Sequence, residues 1–392
     1  MREALFSVPY LRQRLSPAIQ QNLRGLEVPA INSPGERLFI LAVGQIPPPV
    51  TGFAFITARM IATLADSAEV ETINMSPGGR RGLLKHLHKG RQTIWACWRI
   101  ARNTHHPRLA YVGCEGDWGL VYTAALALAA RLFGHTILLH HHSFSYIDRA
   151  SRLMRIILAV SRTRIRHIFL CTTMRDRFQR RYGNAREYSI VSNAAFVEAR
   201  LDSDRADSSS ERLRIGLLSN LTREKGLHTF INLVRGLSQS GLNVQALLAG
   251  PIAGEDDKAH VAAAEAELGG ALRYIGPVYG EAKDRFYNEI DVFIFPTNYV
   301  NEAQPTVLFE ALAAGNRVIA YDRGCISTQI VRGGGLAIDP TADFCGVTIE
   351  YLRKARLETS FARNAIIQEF QLEKESALTI ARNLLPLSRT EF

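Results

Sequence analysis

Two successive α/β domains, each with a mainly parallel sheet, are the fold that the sequence predicts. Short β-rich segments alternate with helical segments twice along the 392 residues, first from Arg37 and again from Leu213. Such alternation places helices on both faces of a parallel sheet. Between the two series, residues 201–212 (LDSDRADSSSER) are polar and lack apolar periodicity, which indicates a linker.

Each series contains six strand candidates. In the first they are Arg37–Gly44, Val70–Asn74, Leu109–Gly113, Thr136–His142, His167–Thr172 and Tyr188–Val191. In the second they are Leu213–Ser219, Val244–Gly250, Arg273–Gly276, Val292–Pro296, Arg317–Tyr321 and Gly335–Ile338. Ligands bind beyond the carboxyl ends of parallel strands, so we expect a site in a cleft between two Rossmann-like domains.

These patterns divide the chain into five parts. They are an N-terminal extension at 1–36, a Rossmann-like domain at 37–200, the linker at 201–212, a second Rossmann-like domain at 213–375, and a C-terminal helix at 376–392. Whether that last helix returns to the first domain is left open by the sequence.

The most informative segment is Asp291–Gly315, DVFIFPTNYVNEAQPTVLFEALAAG. Its apolar start predicts a strand that ends at Pro296. Pro305 suits the first position of the helix that follows, because the missing N–H is not needed there. The free N–H groups of Thr306 and Val307, with the helix dipole behind them, would then form an anion site.

Two carboxylates, Glu302 and Glu310, flank this predicted helix start. Ionised carboxylates only accept hydrogen bonds, so they suit sugar and ribose hydroxyls. The simpler alternative is a pair of solvated glutamates. That alternative is weaker for Glu310, which lies between apolar residues where a buried face is expected and a buried carboxylate needs partners.

At these residues the chain resembles the retaining, group 1 glycosyltransferases of family 4, which have the GT-B fold. The match is FPTNYVNEAQPTVLFEALAAGNRVIAYDRG, whose spacing and residue types are similar to the donor-site signature of that family. The resemblance implies two Rossmann-like domains with parallel sheets that face each other across a cleft. It also implies that Glu302 contacts the donor sugar and Glu310 the ribose, with the phosphates and sugar surrounded by Gln304, Pro305, Thr306 and Val307.

A second signature of the family is similar to SNLTREKG, residues 219–226. The resemblance implies that Lys225 neutralises the donor diphosphate. Asn220 stands where the family commonly has arginine, and Arg223 is the candidate replacement. In YIGPVYG, Val278 would meet the nucleobase, although an ordinary exit from a strand explains that segment equally well.

The first domain offers further candidates. Gly52 lies in a proline-rich loop, GQIPPPVTGF, where the resemblance implies close approach to a ligand. Strand alternation puts His140 and His142 on one face and His141 on the other. Three interpretations are open. In the first the histidines form a metal site, and in the second they are core residues satisfied by hydrogen bonds. The resemblance implies the third, in which a histidine contacts the donor sugar, with His142 as the first candidate and His140 as the second.

The segment GCEGDWG follows the third predicted strand, so its polar side chains would lie at the rim of the cleft. Acids beside an aromatic ring suit sugar binding, which makes Glu115, Asp117 and Trp118 candidates on the acceptor side. Capping of the next helix is the favoured alternative for Asp117.

Charge is uneven along the chain. Residues 1–200 carry 27 Lys+Arg against 12 Asp+Glu, whereas the remainder carries 20 against 25. Eight basic residues and no acid lie between Glu71 and Glu115, and the segments at 80–102 and 149–166 mix them with apolar residues. This pattern suits an anionic membrane surface, although a solvated helix face over the core is the alternative for either segment. Nucleic acid is not expected, because no helix-turn-helix, RNP or zinc pattern is present.

Neither a metal nor another cofactor is expected. The cysteines lack a CxxC spacing, and the sequence Asp-x-Asp occurs only at 202–204, in the polar linker. No signal peptide and no apolar run of membrane-spanning length is apparent. We therefore expect a cytoplasmic protein, either soluble or peripheral on the inner face of the membrane.

The sequence predicts transfer of a sugar from a nucleotide-sugar donor to a glycan or lipid-linked acceptor, in cell-surface polysaccharide or glycolipid synthesis. A nucleotide-sugar epimerase of the same shape and a non-catalytic protein that binds sugar nucleotides are the alternatives. The epimerase would convert donor without an acceptor, and the binding protein would show no turnover.

Overall fold

The computed structural model describes residues 38–183, 185–198, 212–330, 334–357 and 363–385. The predicted N-terminal extension and almost all of the predicted linker lie outside these ranges. The chain divides into two compact units. The first unit comprises Met1–Phe196 with Leu372–Phe392, and the second comprises Val197–Gln371.

The first unit contains a parallel sheet of six strands in the order β2-β1-β3-β4-β5-β6. Its strands are β1 Leu38–Gly44, β2 Ala68–Asn74, β3 Leu109–Cys114, β4 Thr136–His141, β5 Ile165–Phe169 and β6 Tyr188–Ile190. Its helices are α1 Gly52–Ala65, α2 Gly82–Arg102, α3 Gly119–Leu132, α4 Ser145–Asp148, α5 Arg152–Ser161 and α6 Thr172–Tyr182.

The second unit repeats the plan with a parallel sheet in the order β12-β11-β10-β7-β8-β9. Its strands are β7 Leu213–Leu218, β8 Val244–Ala249, β9 Leu272–Tyr274, β10 Val292–Phe295, β11 Arg317–Tyr321 and β12 Gly335–Ile338. The helices are α7 Leu227–Gln239, α8 Glu255–Leu268, α9 Glu281–Glu289, α10 Thr306–Ala313, α11 Ile326–Gln329, α12 Phe344–Leu357 and α13 Arg363–Arg382.

The predicted α/β class, with two six-stranded parallel sheets, is confirmed. The burial of the central strands explains why the alternation of strands and helices could be recognised in the sequence. Every residue of β3 is buried, as are six of the seven residues of β1, because helices cover both faces of the sheet. Such strands read as continuous apolar runs.

Helix α13 begins in the second unit at Arg363 and belongs to the first unit from Leu372 onward. There Ala377 and Ala381 are buried in the same apolar cluster as Met60 and Tyr111. In addition, the Ser192 hydroxyl donates a hydrogen bond of 2.7 Å to the Glu373 carboxylate. The last helix thus completes the core of the first unit.

Helix α2 carries most of the first basic segment, and one of its lysines departs from the sequence interpretation. Lys89 belongs to the basic run that we expected to face an anionic surface, but its side chain is only 2% exposed. Its Nζ lies 2.5 Å from Oε2 of Glu115. The assignment of Lys89 to the basic surface is therefore wrong, because this charge is neutralised inside the unit. Within the described ranges, no helix has the length and apolarity needed to cross a membrane.

We expect Lys89→Ala to lower the free energy of unfolding by about 3 kcal/mol, because removing one partner leaves the other charge uncompensated in a partly buried site. Thermal and urea unfolding measure the change. Lys85→Ala, four residues earlier on the same helix, is the matched control and should change stability by less than about 0.5 kcal/mol. Equal losses in the two variants would contradict a structural role for the Lys89–Glu115 pair.

Candidate active site

The loop between β10 and α10 holds a mostly buried carboxylate. The side chain of Glu302 is 10% exposed, and its Oε2 accepts two hydrogen bonds. One comes from Nζ of Lys225 at 2.6 Å and the other from the hydroxyl of Thr297 at 3.1 Å. The acid is therefore held in one orientation with a cation beside it.

The turn between β7 and α7 positions Lys225. Its backbone N–H donates to the carbonyl and to the hydroxyl of Thr222, at 3.1 and 3.2 Å. Its ammonium lies 4.3 Å from the centroid of the Tyr299 ring, a cation–π contact. The N–H of Asn298 donates to the carbonyl of Glu224 at 2.7 Å, which joins this turn to the loop that carries Glu302.

Two glycines let the backbone segments approach closely. Gly226 has a φ of +89°, and a Cβ there would lie 2.4 Å from the carbonyl oxygen of Pro296. Gly324 has a φ of +59°, and a Cβ there would lie 2.4 Å from the carbonyl oxygen of Glu302. Only glycine fits both the conformation and the space. Gly324 was missed by sequence reasoning, although it closes the quoted segment YDRG.

The second carboxylate, Glu310, lies on α10 and has two partners. Its Oε1 accepts from Nζ of Lys283 at 2.7 Å, and its Oε2 accepts from the hydroxyl of Tyr287 at 3.0 Å. Burial and the charge of Glu310 raise the pKa of Tyr287 well above its usual value, so the phenol stays protonated as a donor. Glu310 therefore does not lie on a solvated face. Sequence reasoning missed Lys283 and Tyr287, because neither is near Glu310 in the chain.

The start of α10 differs by one residue from the prediction. Pro305 occupies the N-cap position with a ψ of 127°, and the helix begins at Thr306. The carbonyl of Pro305 accepts from the side-chain amide of Gln329 at 3.0 Å, which fixes the loop. The N–H groups of the first helical residues, Thr306 and Val307, have no acceptor within the helix. Gln304, just before the cap, is buried.

The remaining predicted residues of the second unit lie in loops. Asn220 and Arg223 are both exposed in the turn that carries Lys225. Val278 is half-buried in the loop between β9 and α9. Two statements therefore stay predictions. One is that Arg223 replaces the arginine expected at position 220, and the other is that Val278 contacts the nucleobase.

In the first unit, the predicted alternation of the three histidines is observed. The rings of His140 and His142 lie on one face with centroids 4.0 Å apart, while Nε2 of His141 lies 2.9 Å from Nδ1 of His167. The hydroxyl of Tyr111 lies 2.8 Å from Nδ1 of His140. Within the described residues, Nε2 of His140 and Nε2 of His142 are buried without a hydrogen-bond partner.

Burial keeps these imidazoles neutral. It lowers the pKa of His140 to about 3, and burial together with the neighbouring histidines lowers the pKa of His142 well below its usual value. A neutral imidazole can both donate and accept a hydrogen bond. Across the part of the chain that the structure describes, no group of three or more His, Cys, Asp or Glu side chains is arranged to hold a metal ion.

The acceptor-side candidates differ in their surroundings. Glu115 is paired with Lys89, so its carboxylate is already occupied. Trp118, and not Asp117 as expected, takes the N-cap position of α3. Asp117 instead has a positive φ of 51°. Trp118 is largely exposed, and Gly52, at the start of α1, is exposed beside the Thr51 cap.

Residues 201–367, which include the Lys225–Glu302 pair and Glu310, match the model of the family described as Glycosyl transferases group 1. No curated protein matches the sequence of this chain.

Solved structures are similar over nearly the whole chain. HepE of Anabaena in complex with UDP-glucose has a TM-score of 0.59 at 18% identity and covers 88% of this chain and 99% of its own. The apo lipopolysaccharide outer core galactosyltransferase WaaB has a TM-score of 0.66 at 14% identity, with coverages of 89% and 100%. Sucrose-phosphate synthase of Thermosynechococcus elongatus has a TM-score of 0.63 at 14% identity, with coverages of 89% and 97%. At these identities the likeness shows the fold, which is the two-domain α/β fold of GT-B glycosyltransferases.

We expect Gly226→Ala to destabilise the second unit by at least about 2 kcal/mol, because it combines a left-handed backbone with a clash against Pro296. Gly241→Ala, just after α7, is the matched control. Gly241 also has a positive φ, of 78°, but a Cβ there would meet nothing within 4 Å. Its substitution should cost only about 1 kcal/mol. Thermal unfolding compares the variants, and equal losses would argue against the close packing of the two loops.

The first unit should lose stability as the pH falls below 6.5. Burial lowers the pKa of His140 to about 3, and of His135 and His167 to about 4, from the ordinary 6.5. Below pH 6.5 the unfolded chain binds protons that the folded unit excludes. Each such histidine therefore lowers the free energy of unfolding by up to about 1.4 kcal/mol for every unit by which the pH falls. That contribution is fully present above pH 6.5.

Thermal unfolding followed from neutral pH down to about pH 4 tests this expectation. His167→Gln should make the melting temperature less dependent on pH. A melting temperature that stays constant until the carboxylates protonate would contradict it.

Proposed function

We propose that the protein is a glycosyltransferase that moves a sugar from a nucleotide-sugar donor to a glycan or lipid-linked acceptor with retention of configuration. One observation carries the proposal. Within the family-matched segment, Lys225 and Glu302 form a mostly buried ion pair in the loop that leads to the start of α10. An acid, a cation and helix N–H groups that have no acceptor within the helix are the parts that a sugar diphosphate requires.

In this proposal the diphosphate binds at the start of α10. The N–H groups of Thr306 and Val307 meet the phosphate oxygens, and Gln304 and Pro305 line the approach. Lys225 shares its charge between Glu302 and the phosphates, which stabilises the leaving diphosphate as the glycosidic bond breaks. Arg223, exposed on the same turn, supplies the second cation that the uncharged Asn220 does not provide. Because these groups stabilise the charge, the proposed mechanism uses neither a metal nor a cofactor.

The ribose is proposed to bind Glu310. Its carboxylate accepts hydrogen bonds from hydroxyls, and Lys283 and Tyr287 hold it in place. Val278 is proposed to contact the nucleobase from the loop before α9. HepE binds UDP and UDP-glucose, which supports a nucleotide sugar as the donor class. Thermal shift across nucleotide sugars would identify the base and the sugar.

For the first unit we propose that His142 forms a hydrogen bond to a hydroxyl of the donor sugar. Its Nε2 is unpaired and its ring is neutral, so it can act as donor or acceptor. His140, which is ordered by Tyr111, would support it. Gly52, Glu115, Asp117 and Trp118 remain the proposed ligand-contacting and acceptor-side residues.

We further propose a role in cell-surface polysaccharide or glycolipid synthesis on the cytoplasmic side of the membrane. The similarity to WaaB, a lipopolysaccharide galactosyltransferase, supports this class of acceptor. The test is incubation with labelled nucleotide sugars and a lipid extract. Labelled lipid or glycan supports transfer, whereas altered free donor would indicate an epimerase and binding without turnover a sensor.

Glu302→Ala should lower the transfer rate by about 100-fold or more, because the carboxylate lies beside the reacting groups. It should also lower the melting temperature, because Lys225 loses its partner, but the variant should still be folded at the temperature of the assay. Glu302→Gln keeps the shape and separates the loss of charge from the loss of volume. Glu281→Gln changes an exposed glutamate and serves as the control. Transfer at the wild-type rate by the folded Glu302→Ala variant would remove Glu302 from the mechanism.

A further inference from the structure

Helix α2 presents large apolar side chains to solvent. The side chains of Leu84, Leu87, Ile94, Trp95 and Trp98 are 65%, 60%, 73%, 48% and 41% exposed. Their spacing of three and four residues places them on one side of the helix. These five residues are termed the outer apolar face of α2.

The opposite side of α2, which packs on the first unit, is much less apolar. Its buried residues are Lys89, Thr93, Ala96 and Ile100. A helix over a core normally turns its large apolar residues inward. Here the arrangement is inverted, so the alternative of a solvated helix face does not apply to this helix.

Helix α2 contains basic residues and no acidic ones. Arg91 and Arg102 lie within the outer stripe, and the Arg102 guanidinium lies 4.9 Å from the centroid of the Trp98 ring. Arg80 and Arg81, just before the helix, are exposed. Two acids pair with basic residues of α2 and are thereby neutralised, Glu71 by Arg99 and Glu115 by Lys89.

We propose that the outer apolar face of α2 docks on an anionic lipid bilayer, with its leucines and tryptophans in the interface and its arginines among the headgroups. Tryptophan beside arginine suits the boundary between hydrocarbon and headgroups, and apolar burial with basic charge is the chemistry of a helix that lies on a membrane. The inference rests on the proposed function for its biological purpose, because a lipid-linked acceptor resides in a bilayer. The observations that support it all come from α2.

Two other occupants lack charge complementarity. A second copy of the chain would bring the same arginines together around a two-fold axis. The chain before β1, residues 1–37, contains five arginines and three glutamates, so it is also basic overall. An anionic bilayer satisfies both the apolar and the basic groups of the face.

The fluorescence of the tryptophans can report directly on contact between α2 and a membrane. All three of its tryptophans, Trp95, Trp98 and Trp118, lie on α2 or at the start of the adjacent α3. We expect the full chain to float with vesicles of equal parts phosphatidylglycerol and phosphatidylcholine, and its tryptophan emission to shift to shorter wavelength. Pure phosphatidylcholine vesicles should bind it about tenfold or more weakly.

Variants separate the apolar and the electrostatic contributions. Replacing Leu84, Leu87 and Ile94 together by Ser should lower partitioning by about tenfold or more, because the buried apolar area is lost. Arg91→Gln with Arg102→Gln should reduce the preference for anionic vesicles. Val347→Ser, at an exposed apolar residue of the second unit, is the control and should partition as the wild type.

The proposal is overturned if the wild-type chain does not float, or if the serine variant floats as well as the wild type. It is also overturned if the protein forms dimers that the serine variant disperses, since a second copy would then cover the face. The thermal shift caused by nucleotide sugars should be equal in all these variants. Failure of membrane binding is thereby distinguished from failure of the proposed function.

Discussion

The ion pair between Lys225 and Glu302 is the interaction around which the candidate site is arranged. Its two charges are 2.6 Å apart with most of both side chains removed from solvent. Loss of either partner would leave the other charge poorly solvated, so the two loops must stay together. Gly226 and Gly324 permit that approach, because any Cβ at these positions would collide with the backbone of the opposing segment.

Pairing has a consequence for anion binding. The cations Lys225 and Lys283 are balanced by Glu302 and Glu310, so these four side chains contribute no net positive charge. In the proposed function, a diphosphate therefore relies on the N–H groups at the start of α10, together with Arg223, for favourable binding. This balance explains why Asn220, at the position where the family commonly has arginine, matters to the proposed mechanism. It also explains why Lys225 is expected to interact with both carboxylate and phosphate.

The first unit distributes its polarity in an unusual way. A lysine of α2 points inward to Glu115, while leucines and tryptophans of the same helix point outward. The buried ion pair is compatible with folding because each charge is compensated. Much of the apolar surface of the outward side chains stays exposed within the unit, and burial against another phase would stabilise it. Both features follow from the orientation of a single helix.

The sequence by itself determined the class of fold and the segment that holds the candidate site. Central strands such as β3, covered on both faces, must be continuously apolar, so the twelve strands in the described part of the chain could be recognised to within a few residues. The spacing of Glu302, Pro305 and Glu310 likewise identified a loop followed by a helix start. These features are local, because they depend on residues that are close in the chain.

Only the tertiary structure decided which groups meet. Lys225 reaches Glu302 from 77 positions away, and Lys283 and Tyr287 reach Glu310 from a different helix. It also decided that Lys89 is buried and that the leucines of α2 are exposed. Periodicity shows that a helix has an apolar side, but not which side packs on the core. That choice depends on long-range packing and on pairing of buried charge, which spacing along a chain does not contain.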